Sequence, residues 1–244
     1  MASIQVKPYE QVYAIYDGLM KKLDYESWSK YILLIAKENV HQEAKFLELG
    51  AGNCKMAKIL SEKYKNYYAS DISISMLCSS CKNHLKKICC DMTSLPFKVK
   101  FDFVFSAFDS VNYILKQKSL QNLFTEVDYL LREDGIFTFD VSLEKNSLNF
   151  TTGKSTEGQH NGFHYKMISK YNKLSRIHYN NFYIWNESGV KFKEVHKEKI
   201  YPINTYFKLA EKAGLHVESC YDCFTFKDVN QKSERAQFVM RKIS

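Results

Sequence analysis

Residues 45–54 read Lys-Phe-Leu-Glu-Leu-Gly-Ala-Gly-Asn-Cys, and no other stretch limits the possible folds as tightly. A short apolar run leads into two glycines, Gly50 and Gly52, and the residues beyond them take up helical spacing. Glycine lets the backbone bend sharply and approach a ligand with no Cβ in the way, and the free amides at the start of the next helix face the same space. Strand, glycine turn and helix in that order is where α/β proteins hold nucleotide-like cofactors. A dinucleotide fingerprint needs a third glycine three residues after the second. Lys55 stands there, so the pyrophosphate reading fails.

Further along, residues 67–71 read as a second strand ending in Asp71, a carboxylate able to accept hydrogen bonds from two ribose hydroxyls. Residues 88–92 read as a third strand with Asp91 near its end, followed by Leu95-Pro96-Phe97, and residues 101–110 as a fourth. The string Glu-Leu-Gly-Ala-Gly and these acids, in this order, resemble the motifs of class I S-adenosylmethionine-dependent methyltransferases over residues 9–141. The resemblance implies S-adenosyl-L-methionine as cofactor and S-adenosyl-L-homocysteine as product. It assigns cofactor contacts to Tyr9, Tyr16, Glu48, Gly50, Ala51, Gly52, Cys54, Asp71, Ile72, Met76, Asp91, Met92, Ser106 and Phe108. Asp91 is the expected partner of the adenine amino group, and the residues around Pro96 are expected to bracket the ring. One departure is Cys54, where many members carry a small glycine; a thiol is compact, so altered packing is expected there, not lost binding.

The remaining pattern predicts an α/β, doubly wound (Rossmann-like), mostly parallel seven-stranded sheet with an N-terminal helical lid and an inserted small antiparallel sheet. Helical spacings at residues 9–20 and 25–36 give the lid, residues 1–44. Residues 45–143 and 201–244 form the core: a helix at 119–131 stopped by Arg132-Glu133-Asp134-Gly135, a fifth strand at 136–141, a helix at 205–213 ended by Gly214, and a closing hairpin of 215–220 with 236–240. Residues 144–200 form the insertion, with alternating strands at 165–171, 176–185 and 190–196 and turns at Asn172-Lys173 and Glu187-Ser188-Gly189. Tyr16-Asp17-Gly18-Leu19-Met20 and Asp24-Tyr25-x-x-Trp28 resemble the N-terminal signature of bacterial small-molecule N- and O-methyltransferases, in which such an insertion roofs the substrate and often makes a dimer contact. Trp28 is read as packing, and Tyr9 and Tyr16 as ligand contacts.

No run approaches eighteen apolar residues and the first seven residues lack the apolar core of an export signal, so a cytoplasmic protein with no membrane partner is expected. Seven cysteines, an odd number, fit reduced thiols. The pairs Cys78/Cys81 and Cys220/Cys223 lack a glycine knuckle, so no metal is expected, and Cys89 and Cys90 are read as core.

The insertion carries ten Lys or Arg against five Asp or Glu, five of the chain's eight net positive charges. A basic roof would draw an acidic small substrate or the phosphates of RNA. The fourth motif reads Phe108-Asp109-Ser110, not the acid- or Asn-Pro-Pro-aromatic signature for nucleobase amino groups, so a small-molecule acceptor is the primary reading, with methylation at N or O. An RNA or protein methyltransferase and a non-catalytic cofactor-binding module are the alternatives, and a homodimer through the inserted sheet is a further expectation. Asp109, Tyr113 and His178 are the candidate catalytic residues, with His164 and Tyr165 as other pocket candidates.

Overall fold

The computed structural model describes residues 3–36, 40–79 and 85–243, so the Cys78/Cys81 pairing falls partly outside the described residues. In chain order the elements are β1 (Ile4–Gln5), α1 (Val12–Leu19), α2 (Tyr25–Ala36), β2 (Phe46–Leu49), α3 (Lys55–Lys63), β3 (Tyr67–Asp71), α4 (Ile74–Ser79), β4 (Lys86–Cys89), β5 (Phe101–Ser106), α5 (Gln117–Leu130) and β6 (Leu131–Ser142). There follow α6 (Glu144–Leu148), β7 (Lys154–His160), β8 (Phe163–Asn172), β9 (Ile177–Asn186), β10 (Lys191–Lys199), α7 (Ile203–Lys212), β11 (Leu215–Asp222), β12 (Lys227–Asp228) and β13 (Arg235–Lys242). No helix of the described residues is long and apolar enough to cross a membrane.

The larger sheet runs β12-β11-β13-β6-β5-β2-β3-β4: the seven strands expected, plus two-residue β12 at the edge. Strands β4, β3, β2, β5 and β6 are parallel, and β13 is antiparallel to β6 and β11. Every residue of β2 and β5 is buried, as a strand covered on both faces requires. One face packs α2 and α3 through Trp28, Ile32, Ala57 and Leu60 onto Phe46, Phe103 and Phe105. On the other, the apolar stripe Leu120, Leu123, Phe124, Val127 and Leu130 of α5 meets Phe137, Phe139 and Phe238, with Tyr206 of α7. Burying each of the leucine, isoleucine, valine and phenylalanine side chains stabilises the fold by about 1.5–3 kcal/mol. Chain order reverses on either side of β2, so a crevice opens at the carboxyl ends of β2 and β5.

The second sheet runs β1-β10-β9-β8-β7, five strands where the sequence suggested three. Strand β7 is polar and largely exposed, so it carries no apolar alternation to read, and β1 adds itself parallel to β10 from the far end of the chain. The segment read as one lid divides. Val12 and Ile15 of α1 pack with Tyr165, Phe182 and Ile184 of the second sheet, whereas α2 belongs to the larger core.

Three local expectations change. Strand β4 ends at Cys89 as the outermost strand, which leaves Cys89 exposed and Cys90 only half-buried instead of core. Residues 132–135 do not stop a helix: Leu131 is already extended and pairs with Phe101, the next pair is Phe103 with Ile136, and the exposed residues between bulge out of the ladder. Arg132 is held there by Asp102 at 3.0 Å. Tyr9, expected at the start of a helix, sits in left-handed backbone before α1 begins at Val12.

Candidate active site

A cavity of about 720 Å³ lies over the carboxyl ends of β2, β3 and β5, within the usual size of small-molecule sites. Its floor is Glu48, Gly50, Ala51 and Gly52 after β2, Asp71 and Ile72 after β3, and Asp91 and Met92 after β4. Met76 of α4, Phe108, Ser110 and Tyr113 after β5, and Tyr9, Tyr16 and Tyr25 from the N-terminal segment complete the walls.

The floor is built from left-handed backbone. Gly50 has φ +72°, and a Cβ there would meet Ser110 Oγ at 2.8 Å, so the strand turns only because the residue is glycine. Asp71 stands under the same turn and fixes it, with Oδ2 accepting from the Gly52 amide and Oδ1 from the Ser73 amide, each at 2.8 Å. Burial raises the Asp71 pKa above its ordinary value. Glu48 is buried and accepts a 2.6 Å hydrogen bond from the Tyr67 hydroxyl, and burial pushes its pKa up to about 8. Asp91 is exposed and accepts from the Thr93 amide at 2.8 Å.

Across the cavity, Phe108 and Asp109 both have positive φ, a strained pair that needs support from its surroundings. Asp140 supplies it by accepting the Asp109 amide at 2.9 Å and pairing with Arg235, whose other nitrogen holds the Asp109 carboxylate at 2.6 Å. The same Arg235 lies over the Trp28 ring, and Trp28 packs on Phe108 with ring centroids 4.7 Å apart. Lys55 reaches Asp17 of α1 at 2.7 Å, and Asn53 donates to the same carboxylate, so α1 is tied to the glycine turn.

A hydrogen-bonded chain runs from the cavity into the second sheet. The Tyr9 hydroxyl donates to Tyr113 at 2.9 Å, Tyr113 lies 3.1 Å from His196 Nδ1, and His196 Nε2 lies 2.9 Å from Glu194. Glu194 is fully buried and accepts the amides of Tyr9, Gln11 and Val12, serving as the cap that α1 lacks in its own sequence. A carboxylate so placed orients the ring: Nε2 carries the proton toward Glu194, Nδ1 accepts from Tyr113, and Tyr113 accepts from Tyr9.

Of the residues assigned from the sequence, Tyr9, Tyr16, Glu48, Gly50, Ala51, Gly52, Asp71, Ile72, Met76, Asp91, Met92, Phe108 and Tyr113 line the cavity. Four do not. Cys54 is buried behind the turn, Ser106 Oγ donates to the Leu49 carbonyl between strands, and Asp109 is held by Arg235. His178 bonds Ser147 at 3.0 Å and packs on Phe150 and Tyr171, away from the cavity. His164 stacks on Trp185, and Tyr165 is buried against α1. Sequence reasoning missed Glu194, His196 and Arg235. The signal for the first two was present: within the alternation of residues 190–196, two polar residues share the face that should be apolar.

Residues 47–139 match a family model described as a methyltransferase domain. YqeM of Bacillus subtilis (strain 168), named provisionally as a methyltransferase, is 25% identical over 243 residues, covering 96% of this chain and 97% of its own. Among solved structures, an S-adenosylmethionine-dependent methyltransferase from Clostridium acetobutylicum ATCC 824 superposes with a TM-score of 0.81 at 24% identity, over 97% of this chain and 99% of that one. The sugar N-methyltransferase KedS8 from Streptoalloteichus sp ATCC 53650 also gives 0.81, at 15% identity over 100% and 98% of the two chains. Structural likeness at such identities is likeness of fold.

Proposed function

We propose that this S-adenosylmethionine-dependent methyltransferase, whose residues 47–139 match the methyltransferase domain, passes the methyl to a nitrogen or oxygen of a small-molecule acceptor. Bound in the cavity, S-adenosylmethionine supplies an electrophilic methyl carbon on a sulfonium, open to in-line attack by an acceptor lone pair. The residues present fit such a ligand. Glu48 and Asp71 are carboxyls whose pKa values burial raises, both face the cavity, and a cationic ligand bound there would stabilise each in its charged form. Gly50 leaves room for close approach of a ligand to the backbone.

The chain from Tyr9 to Glu194 carries the reading. An amine or hydroxyl acceptor must lose a proton, and here the proton has a route: to the Tyr9 oxygen, as the Tyr9 proton moves to Tyr113 and the Tyr113 proton to His196 Nδ1. The imidazolium so formed is paired with Glu194. Burial holds both tyrosine hydroxyls above their ordinary pKa, so they pass protons and do not stand as phenolates. The acceptor-side roles thus fall to Tyr9, Tyr113 and His196, with Asp109 as a support of the turn. Enclosure of the cavity under α1 supports an acceptor of small size.

Transfer of label from methyl-tritiated S-adenosylmethionine tests this reading, with small amines, amino sugars and phenols set against total RNA and total protein. The expected product is a labelled small molecule, and Tyr9→Phe or His196→Ala should lower kcat on it by roughly 10²–10⁴-fold while cofactor affinity holds. Label entering macromolecules alone would reject the small acceptor.

A further inference from the structure

The second sheet has two faces of opposite character. Inward, Phe182, Ile184, Glu194 and His196 are buried against α1 and the site. Outward, the register across β10, β9 and β8 sets three ranks: Lys191, Trp185 and His164; Lys193, Tyr183 and Lys166; and Lys197, Tyr179 and Lys170. Each aromatic ring is flanked by cationic or imidazole side chains on both neighbouring strands. Lys191 Nζ lies 5.1 Å from the Trp185 ring centre, Lys193 5.6 Å from Tyr183 and Lys197 5.9 Å from Tyr179. Across these ranks five lysines stand against one carboxylate, Glu157, which pairs with Lys166. The three rings are half-buried and Lys170 and Lys197 are exposed, so the face meets solvent.

We propose that this outward face binds single-stranded RNA. Half-exposed rings along β9 give stacking platforms for bases, and lysines on the strands to either side neutralise phosphates, a pairing that single-stranded nucleic acid uses and an acidic protein surface does not. A second copy of the chain seated face to face by a two-fold axis would bring the lysine rows together, which charge opposes. The face lies across the sheet from Glu194 and His196, so RNA held there is separate from the acceptor in the cavity, and the proposal does not depend on what is methylated.

Fluorescence anisotropy with a labelled oligouridylate of about fifteen nucleotides tests it on the full chain. Expected are micromolar binding that weakens as salt rises, with a slope matching roughly three to five phosphates, and quenching of tryptophan emission that is lost in Trp185→Phe. Lys193→Glu with Lys197→Glu should weaken binding at least tenfold while the unfolding midpoint and S-adenosylmethionine binding stay unchanged. Absence of salt-dependent binding, or binding undiminished in the double variant, overturns the proposal. So do a concentration-dependent dimer in light scattering that the double variant abolishes, and capture by anionic vesicles in preference to the oligonucleotide.

Discussion

Glu48 shows how one buried side chain couples ligand to pH. It is 3% exposed, and burial lifts its pKa from the ordinary 4.5 to about 8. A folded-state value above the unfolded one means the native protein keeps a proton that the unfolded chain releases, so this group lowers stability as pH rises from about 4.5 to about 8. A cationic ligand in the cavity favours the carboxylate, so binding should release the proton. Affinity for S-adenosylmethionine is therefore expected to rise with pH and level off above about 8, and Glu48→Gln should remove that share of the dependence. Titration calorimetry in buffers of different ionisation heat measures it, and proton release unchanged in the variant would refute it. Histidines make the same point about position. His196 is opposite Asn180, and His178 is opposite Glu198 one rank further along the sheet. A shift of roughly 7 Å along the strands separates the histidine that joins the cavity network from the one that fixes α6.

Among elements, the three hydrogen bonds of Asn112 matter most. Its side chain accepts the Ser142 amide at 2.9 Å and donates to the carbonyls of Ser142 at 3.3 Å and Lys199 at 3.0 Å. Ser142 is the last residue of β6, where the chain leaves the larger sheet, and Lys199 ends β10, where it returns. Asn112 itself lies in the 3-10 turn Ser110–Tyr113 that walls the cavity. Asn112→Ala should cost about 3 kcal/mol, because it strands buried backbone groups that water cannot reach. Urea unfolding checks the figure, and a loss under about 1 kcal/mol would show that the junction is held otherwise. Element type was legible where apolar residues keep a helical period, as in α5, or fill most of a short run, as in β2 and β5. Strand β7, with none, was not, and neither was the bulge at 132–135, since only the pairing of Phe101 and Phe103 reveals it.

On the scale of the molecule, the cavity sits over the larger sheet, and α1, whose Tyr16 helps to wall it, is held to both sheets. Glu194 caps it from the second sheet, and Asp17 ties it to Lys55 and Asn53 of the first. A ligand that packs against both the larger sheet and α1 should stabilise the whole. At about 100 times its dissociation constant, S-adenosylmethionine adds about 2.7 kcal/mol. For a chain of this length that amounts to a rise of roughly 5–10 °C in the unfolding midpoint, as one cooperative transition in scanning calorimetry. Two separate transitions, with only one moved by ligand, would mean that the second sheet is not coupled to the site.

The amino-acid sequence alone determined the larger sheet and the floor of the cavity, because the glycine turn and its acids follow from short-range spacing: bend, helix and carboxylate fall within one or two elements of each other. It could not bring together the residues of the proposed proton route. Tyr9, Tyr113 and His196 are separated by 104 and 83 positions, and only the folding of an inserted sheet over the strand ends brings their polar atoms within hydrogen-bond distance.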